Sequence, residues 1–560
     1  MSTSQPAPEL IIRARALRTM DHAEVARSSA GDAATPTSSP AGSGGRPTAI
    51  AVSGGMISGL GPAEEIEARA TSATEIIDLD GTIVPAFTDA HAHPIMSLST
   101  ARGADLSSTR DLEDVAEALA AEAERVDSEG GDWVIGWGLD PNHFTDGAIT
   151  NEVLRSALGE DRRAYVTMFD AHSAIASPAA LRAAGISGAR SWDSGATVVV
   201  DAEGDPTGHL LEFEAMTEVQ AQLPVQSLEE RVTALRGLLE AMAAQGIGEV
   251  HVMDMNDPDI LELLAAAEAD APLPVKLRIS PWCTPTMSDQ ECAELVTQQS
   301  LHGRRWRVGG VKLFIDGTVE GGTAWLETPD AKGENTESVW GGIEAYAARV
   351  RELNAAGVPT ATHAIGERGI REVAETLAAL PDTGVTHRIE HIESVPKDVI
   401  ELIGRSGIAA SMQPTHCTHY TMADGSDDWS TRLGETRASR AWCIRDVIDA
   451  GAVVALGSDY PVAPYPVLPI MADAQLRRPV EDSSAAPVLP EQAITAAEAL
   501  AGFTTGPQSA IGESGGFLAV GQPASITVLD VDPLAADAET LGAGRVLLTV
   551  SDGIVTHRAE

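Results

Sequence analysis

The sequence predicts an α/β protein whose central part is a (β/α)8 barrel. Through the middle of the 560-residue chain, helical patterns alternate with short apolar runs rich in Val and Ile. Strands that alternate with helices of this length indicate βαβ units and a parallel sheet. Several apolar runs end in a polar residue of catalytic type, which is where a barrel places its chemistry. An open doubly wound sheet is the alternative, but no glycine-rich dinucleotide motif follows the first strand.

The elements of this central part follow from the spacing of apolar residues. Helical spacing predicts helices at Leu112–Arg125, Leu228–Gln245 and Gly342–Ala356. Short apolar runs predict strands at Val275–Ile279, Val311–Ile315, Val358–His363, His387–His391 and Val453–Asp459.

Both ends of the chain are rich in short β-type runs, which occur at Leu10–Leu17, Thr48–Ser53, Met56–Leu60, Ile76–Leu79, Ile526–Leu529, Val546–Val550 and Gly553–Thr556. We therefore predict that residues 1–84 and 515–560 together form a small β-sandwich around a barrel of residues 85–514. Residues 28–46 are rich in Ser, Gly, Pro and Ala and predict a flexible insertion in the sandwich.

Composition limits the possible partners. The formal net charge of −44 argues against nucleic acids and anionic membranes, because both would be repelled. No apolar run approaches the ~20 residues of a membrane-spanning helix. The first 21 residues lack the pattern of a secretory signal, so we expect a cytoplasmic protein with a small-molecule substrate. The four cysteines show no CxxC pairing and are expected to be free thiols.

The strongest chemical signal is the pair His91 and His93 in the phrase PAFTDAHAHP. Residues i and i+2 of a strand project to the same side, so both imidazoles can share one metal ion. The alternative is that the two histidines lie close together by chance and bind no metal. The pair ends an apolar run and is followed by Pro94, which is typical of the exit from a strand.

Four further residues of catalytic type lie in or directly after separate predicted strands: Lys312, His363, His391 and Asp459. Each alone has a structural explanation, since a lysine can extend to solvent or pair with an acid and a histidine can be a satisfied core residue. Lysine occurs at only four positions, Lys276, Lys312, Lys332 and Lys397, so its presence in an apolar strand calls for an explanation. The order of the set along successive strands favours one common site.

At this point the chain resembles the amidohydrolase superfamily, and within it the group of YtcJ-like proteins and N-substituted formamide deformylases. The matching phrases are PAFTDAHAHP, GVKLFIDGT, THAIGERGI, HRIEHIE and GSDYPV, and the resemblance runs nearly from end to end. The loops Asp316–Gly322 and Gly366–Arg368 differ from the sequences that are common in this group. Tyr460 stands where a Trp is frequent. These departures affect the expected substrate and leave the metal chemistry unchanged.

The resemblance implies a role for each residue of the set. His91 and His93 match the ligands of the more buried metal, and His363 and His391 match those of a second ion. Asp459 matches the metal ligand that also takes a proton from the attacking water. Lys312 matches the lysine that two-metal members carboxylate to bridge the ions. The expected cofactor is one or two divalent ions, zinc first, with manganese or iron as alternatives.

The resemblance also implies an inserted subdomain at roughly residues 100–245 that covers the site. We expect substrate contacts from His172, and with less support from Trp137 and Asp140. Glu212 and Glu214 are interpreted as solvated helix positions. His416 and His419 have ligand-like spacing but are placed in a loop after the seventh strand.

The functional prediction is hydrolysis of an amide or N-formyl type C–N bond by metal-activated water. One alternative is a single-metal deaminase or other hydrolase in which Lys312 is unmodified. Another is a metal-free binding protein on the same fold. This alternative predicts that some of the metal-ligand positions carry residues that cannot bind a metal. A homo-oligomer is expected only from the resemblance.

Overall fold

The computed structural model describes residues 7–21, 48–144, 148–169, 171–192 and 195–560. The insertion predicted at residues 28–46 lies outside the described residues. The N-terminal segment forms mainly strands: β1 (Leu10–Arg13), β2 (Ala16–Leu17), β3 (Ala49–Ser53), β4 (Met56–Gly61), helix α1 (Ala63–Glu67), β5 (Glu75–Asp78) and β6 (Thr82–Pro85).

The central part begins with β7 (Phe87–Ala92), all six residues of which are buried. The chain then forms a separate lobe before it returns. The lobe consists of α2 (Ser97–Thr100), β8 (Ala104–Asp105), α3 (Leu112–Ser128), β9 (Trp133–Leu139), a 3₁₀ turn (Pro141–His143), α4 (Glu152–Leu158), β10 (Arg163–Met168), β11 (Ser173–Ala176), α5 (Pro178–Ala183), β12 (Arg190–Ser191), β13 (Thr197–Val200), β14 (Pro206–Leu211) and α6 (Glu212–Gln220).

The lobe is built on one sheet with the strand order β12-β13-β14-β11-β10-β9-β8. Its two faces are covered by apolar clusters of their own, one around Tyr165 and Leu210 and the other around Leu119 and Val166. The lobe therefore carries its own core between two strands of the central part.

The chain returns through α7 (Leu228–Ala244), which begins at a capping box formed by Ser227 and Glu230. Alternating strands and helices follow: β15 (Ile247–Val252), α8 (Ile260–Ala267), β16 (Lys276–Ile279), α9 (Asp289–Gln298), β17 (Trp306–Val308), β18 (Val311–Phe314), α10 (Ile343–Ala355), β19 (Thr360–Ala364), α11 (Glu367–Ala378), β20 (Arg388–His391), α12 (Lys397–Ser406), β21 (Ala409–Met412), α13 (Pro414–Tyr420), α14 (Asp428–Leu433), α15 (Glu435–Ala438), α16 (Ile444–Asp449), β22 (Val454–Leu456), α17 (Val467–Leu476), a 3₁₀ turn (Pro490–Gln492), α18 (Ala496–Gly502) and α19 (Thr505–Ala510).

These strands form two parallel sheets. The first has the order β17-β16-β15-β7, and the second has the order β18-β19-β20-β21-β22. Among the described residues the strands of the two sheets form separate ladders, so the sheets are not one closed ladder. The α/β architecture and the five predicted central strands are nevertheless present, within a few residues of their predicted ends.

The C-terminal segment adds β23 (Ile526–Leu529), α20 (Ala538–Gly542), β24 (Val546–Ser551) and β25 (Ile554–Arg558). The strands β2 and β6 from the N-terminal segment join these three in the order β2-β6-β23-β24-β25. A second sheet, β4-β3-β1-β5, packs against it through one shared apolar core that includes Ile12, Ile50, Val528 and Val550.

Candidate metal centre

A group of buried histidines surrounds a cavity of about 70 Å³ at the carboxyl ends of the parallel strands. Five residues of the predicted ligand set line this cavity: His93, Lys312, His363, His391 and Asp459. His91, the sixth, is fully buried directly behind them.

His91 lies in β7 and directs its Nε2 atom into the site. Its Nδ1 atom is 2.6 Å from Oε2 of Glu390, which is also fully buried. The carboxylate accepts the Nδ1 hydrogen, which leaves a lone pair on Nε2. Arg388 donates to the other oxygen of Glu390 at 2.6 Å. A buried charge pair therefore fixes the tautomer and orientation of His91.

His93 follows β7, and its Nε2 atom is 3.2 Å from Oδ1 of Asp459. Nε2 of His91 is 3.4 Å from the same oxygen. Burial opposes a charge on either partner, but the nearby histidines outweigh it and hold the pKa of Asp459 well below its ordinary value. Burial likewise lowers the pKa of His93, but hydrogen bonding to Asp254 and Asp459 and the charges of these two acids more than reverse this effect.

His363 and His391 lie beside each other, with ring centroids 4.5 Å apart. Nε2 of His363 is 3.1 Å from the carbonyl oxygen of Gly317, so this nitrogen donates and Nδ1 is left with a lone pair. Nδ1 of His391 is 2.9 Å from Oε1 of Gln413, so Nε2 is left with a lone pair. Burial lowers the pKa of both histidines, which favours the neutral form that binds metal.

Lys312 is fully buried in β18. Its Nζ atom is 3.2 Å from Nε2 of His91 and 4.9 Å from the ring centroid of Phe314. Within the described part of the chain, no carboxylate oxygen lies within ion-pair distance of Nζ. Burial lowers the pKa of Lys312 to about 8. The explanation in which this lysine extends to solvent is therefore wrong.

The donor set fits a divalent cation. His91, His93 and Asp459 each offer an atom within 4.8 Å of the other two, and so do His391, His416 and Asp459. Oδ1 of Asp459 has no hydrogen-bond partner among the described residues. Two buried imidazole nitrogens and a carboxylate oxygen that converge in this way form a donor set for a cation. Imidazole and carboxylate together suit zinc-type ions.

Two glutamates that the sequence did not place in the site take part in this environment. Glu390 holds His91, as described above. Glu212, interpreted as a solvated helix position, instead has a side chain only 14% exposed and accepts from Nδ1 of His172 at 3.0 Å. Its backbone has φ of +63°, a strained value for a non-glycine residue. Glu214 is exposed as expected.

His416 lies in helix α13, so its predicted placement in a loop is wrong. Pro414 occupies the first helical position, where its missing N–H costs nothing, and this explains why a proline-containing segment is helical. His416 lines the cavity, whereas His419 pairs with Asp473 at 3.0 Å and does not line it.

The lobe brings only one of its three predicted contact residues to the cavity. His172 lines it, with its ring 6.2 Å from that of His363. Trp137 instead packs edge-on against Tyr460 at 6.1 Å. Asp140 accepts from the backbone of Asn142 at 2.8 Å and caps the 3₁₀ turn. Neither Trp137 nor Asp140 is among the residues that line the cavity.

The fold and this donor set together define a metal-dependent hydrolase that acts on carbon–nitrogen bonds. The chain belongs to the amidohydrolase family, whose family model matches residues 75–557. Over the described residues, no helix combines the length and the apolar character required to cross a bilayer.

Relatives and solved structures agree with this assignment. The chain is 28% identical to the putative amidohydrolase YtcJ of Bacillus subtilis over 527 residues, which cover 92% of this chain and 96% of that protein. It is 24% identical to N-substituted formamide deformylase of Arthrobacter pascens, with 91% and 94% covered. An uncharacterized metal-dependent hydrolase from Pyrococcus horikoshii has the same fold, with a TM-score of 0.66, 21% identity and coverage of 88% and 95%.

Proposed function

We propose that this protein hydrolyses a small amide or N-formyl compound, with a divalent cation held by His91, His93 and Asp459. The observation that carries the proposal is the convergence of two histidine nitrogens on Oδ1 of Asp459, at 3.4 and 3.2 Å. When bound, such a cation lowers the pKa of water from about 15.7 to about 7 and polarises the scissile carbonyl.

Asp459 is the proposed catalytic residue of the chain. Its Oδ2 atom is directed toward the cavity, where it can accept the proton of the attacking water. The same carboxyl can then deliver this proton to the departing nitrogen. Bulk solvent has little access to this carboxyl, because Asp459 is only 5% exposed. His172 of the lobe is proposed to contact the substrate from the opposite wall.

The two parallel sheets are proposed to form one (β/α)8 barrel around this site. Two contacts between the sheets support closure: a parallel bridge joins Trp282 to Lys312, and the amide of Asp459 donates to the carbonyl of His91 at 2.7 Å. In this arrangement β17 is an additional edge strand. The division into a sandwich (residues 1–84 and 515–560) and a barrel (residues 85–514) with an inserted lobe is likewise a proposal.

A second cation, with carboxylated Lys312 as a bridge, is the proposed complete form of the site. A buried amine without a carboxylate partner supports this, because carboxylation converts it into an oxygen ligand among His91, His363 and His391. Zinc is the proposed ion, and manganese or iron would suit the same donors.

A single-metal deaminase or other hydrolase is the second candidate. It is favoured by the 3.2 Å contact between Nζ of Lys312 and Nε2 of His91, which an unmodified lysine can make. Metal counts per chain, with and without bicarbonate in the growth medium, separate the candidates. Two ions lost together in Lys312→Ala support the bridged site, and one retained ion supports the deaminase.

The substrate is tested by assaying the zinc- or manganese-loaded protein against libraries of N-formyl, N-acyl and cyclic amides. Aromatic side chains, among them Phe169, Phe213 and Trp282, line the cavity, so we expect apolar substituents to be preferred. Asp459→Asn should abolish turnover, whereas Asp449→Asn, at the surface end of α16, should not. Equal turnover by Asp459→Asn would refute the proposed role.

A further inference from the structure

A second, larger cavity lies at the opposite end of the parallel strands from the metal centre. Its volume is about 460 Å³, and it is lined by residues at or near the starts of β7, β15, β16 and β17 and by the segment before β23. Barrels place their catalytic groups at the carboxyl ends of the strands, so this amino-end face takes no part in the proposed hydrolysis. A ligand bound here would be distinct from the substrate.

The charge of the cavity lining is opposite to that of the chain. The whole sequence has 38 Lys and Arg against 82 Asp and Glu. The cavity is lined by a majority of cations over carboxylates, namely Lys276, Arg304, Arg305 and Arg307 against Glu249 and Glu513. The Debye length is about 8 Å at physiological salt, so an anion in the cavity interacts mainly with these nearby cations and little with the distant acidic surface.

Two of the arginines lack an acidic partner. Arg305 is only 7% exposed, and its guanidinium donates to the carbonyl and hydroxyl oxygens of Ser551. Arg304 is exposed, and its backbone amide donates to Glu268. Among the described residues, no carboxylate oxygen lies within ion-pair distance of either guanidinium. Burial lowers the pKa of Arg305, and nearby acids counter this effect only in part. Its positive charge is therefore incompletely compensated by the protein.

The other cations differ in how far they are neutralised. Oε1 of Glu513 accepts from Arg307 and also from Arg278 of β16. One negative charge between two guanidinium groups leaves an excess of positive charge. Lys276, by contrast, is balanced by two carboxylates at 3.2 and 3.3 Å from its Nζ atom. The uncompensated charge therefore belongs to the arginines.

Aromatic rings and backbone amides complete the walls of the cavity. Trp306 and Phe517 line it and are half-buried. Residues 514–516 also line it, and their backbone amides have no acceptor among the described residues. Gly516 has φ of +72°, and a Cβ there would lie 2.0 Å from the carbonyl oxygen of Thr504, so this loop requires glycine. Guanidinium groups and free backbone amides are the donors that bind phosphate and carboxylate oxygens.

We propose that this cavity binds a small organic anion with two or more negative charges, either an organic phosphate or a dicarboxylate. In this arrangement Arg304 and Arg307 bind the charged groups of the anion, and its remainder packs against Trp306 and Phe517. The site is independent of the proposed metal centre, because none of the residues that line it is a candidate metal ligand.

The test is isothermal titration calorimetry of the zinc-loaded protein with AMP, succinate and inorganic phosphate. We expect AMP or succinate to bind at one site per chain, and more tightly than inorganic phosphate. Arg304→Ala should weaken this binding about 10-fold, because hydrogen bonds between charged groups are the stronger ones. Arg307→Ala is a second variant with the same expected loss. The matched control is Arg351→Ala, which removes an exposed arginine of α10 outside the cavity and should have no effect.

A further variant separates this cavity from the metal centre. His93→Ala removes a ligand of the proposed cation, and the folded variant should bind the anion as tightly as the wild type. Loss of binding in His93→Ala would place the anion at the metal centre and overturn the inference without affecting the proposed function. Absence of binding by both AMP and succinate, or equal affinities in wild type and Arg304→Ala, would also overturn it. Tighter binding of AMP than of succinate would support an organic phosphate, and the reverse would support a dicarboxylate.

Discussion

At the scale of single residues, the site depends on buried partners that decide which histidine nitrogen is free. Glu390 is the clearest case, because it accepts the Nδ1 hydrogen of His91 at 2.6 Å and is itself paired with Arg388. Such partners orient ligands and increase their basicity. The histidine pair could be predicted from its spacing, but Glu390 could not, because it lies 299 positions away in the chain.

We predict that Glu390→Gln weakens zinc binding about 10- to 100-fold, because the amide is neutral and a poorer acceptor for His91. Competition with a chromophoric chelator measures this affinity. The matched control is Glu401→Gln, which changes an exposed glutamate of α12 and should leave the affinity unchanged. Equal affinities for wild type and Glu390→Gln would show that Glu390 does not position the ligand.

Asp459 is a second residue whose local structure the sequence could not predict. The apolar run predicted a strand to Asp459, but β22 ends at Leu456 and the chain turns sharply beyond it. A Cβ on Gly457 would lie 2.6 Å from the backbone of His91, and Asp459 has φ of +60°. Hydrophobic spacing identifies the strand, while close backbone contact with β7 determines where it ends.

At the scale of elements, the lobe reaches the site through β11 and α6. His172 precedes β11 and Glu212 begins α6, so their 3.0 Å pair joins two elements of the lobe at the edge of the cavity. The resemblance predicted His172, but the pattern of α6 indicated a solvated Glu212. The strained backbone at Glu212 directs its side chain inward, and amphipathic spacing does not report backbone strain.

We predict that Glu212→Gln raises KM about 10-fold and leaves the zinc content unchanged. The physical reason is that a charged hydrogen bond that orients His172 is worth about 1.5–3 kcal/mol. Steady-state kinetics on the best substrate of the library, with elemental analysis alongside, tests this. Glu214→Gln, two residues further and exposed, is the control. A similar change in both variants, or loss of zinc in Glu212→Gln, would contradict a positioning role.

At the scale of the whole molecule, the sequence predicted that both termini contribute strands to one apolar core. The exact pairing could not be predicted, since β6 pairs with β23 across more than 400 residues and no local pattern specifies such a register. The same holds for the two central sheets. The sequence predicted which segments are strands, but it did not predict how the edges of the two sheets meet.

Stability of the whole chain should fall in mild acid through buried neutral histidines. His387 is 8% exposed, and its Nδ1 accepts from the backbone amide of Thr360 at 3.1 Å. Burial lowers the pKa of His387 from 6.5 to about 4. Its contribution to stability is therefore complete above pH 6.5 and is lost as the pH falls toward 4, because only the unfolded chain takes up the proton.

We predict that His387→Gln reduces this acid sensitivity by about 2 kcal/mol between pH 7 and pH 5. Glutamine can still accept from Thr360 but does not titrate. Urea unfolding midpoints at the two pH values measure the difference, with the exposed His302→Gln as control. The same loss of stability in wild type and His387→Gln would exclude this histidine as the source.

The central claim is that His91, His93 and Asp459 hold a divalent cation. The most direct test is an anomalous difference map from crystals of the zinc-loaded protein, recorded at the zinc edge. We expect a peak about 2.0–2.2 Å from Nε2 of His91, Nε2 of His93 and an oxygen of Asp459. A fully loaded crystal with its peaks elsewhere, and with these three side chains turned apart, would contradict the account.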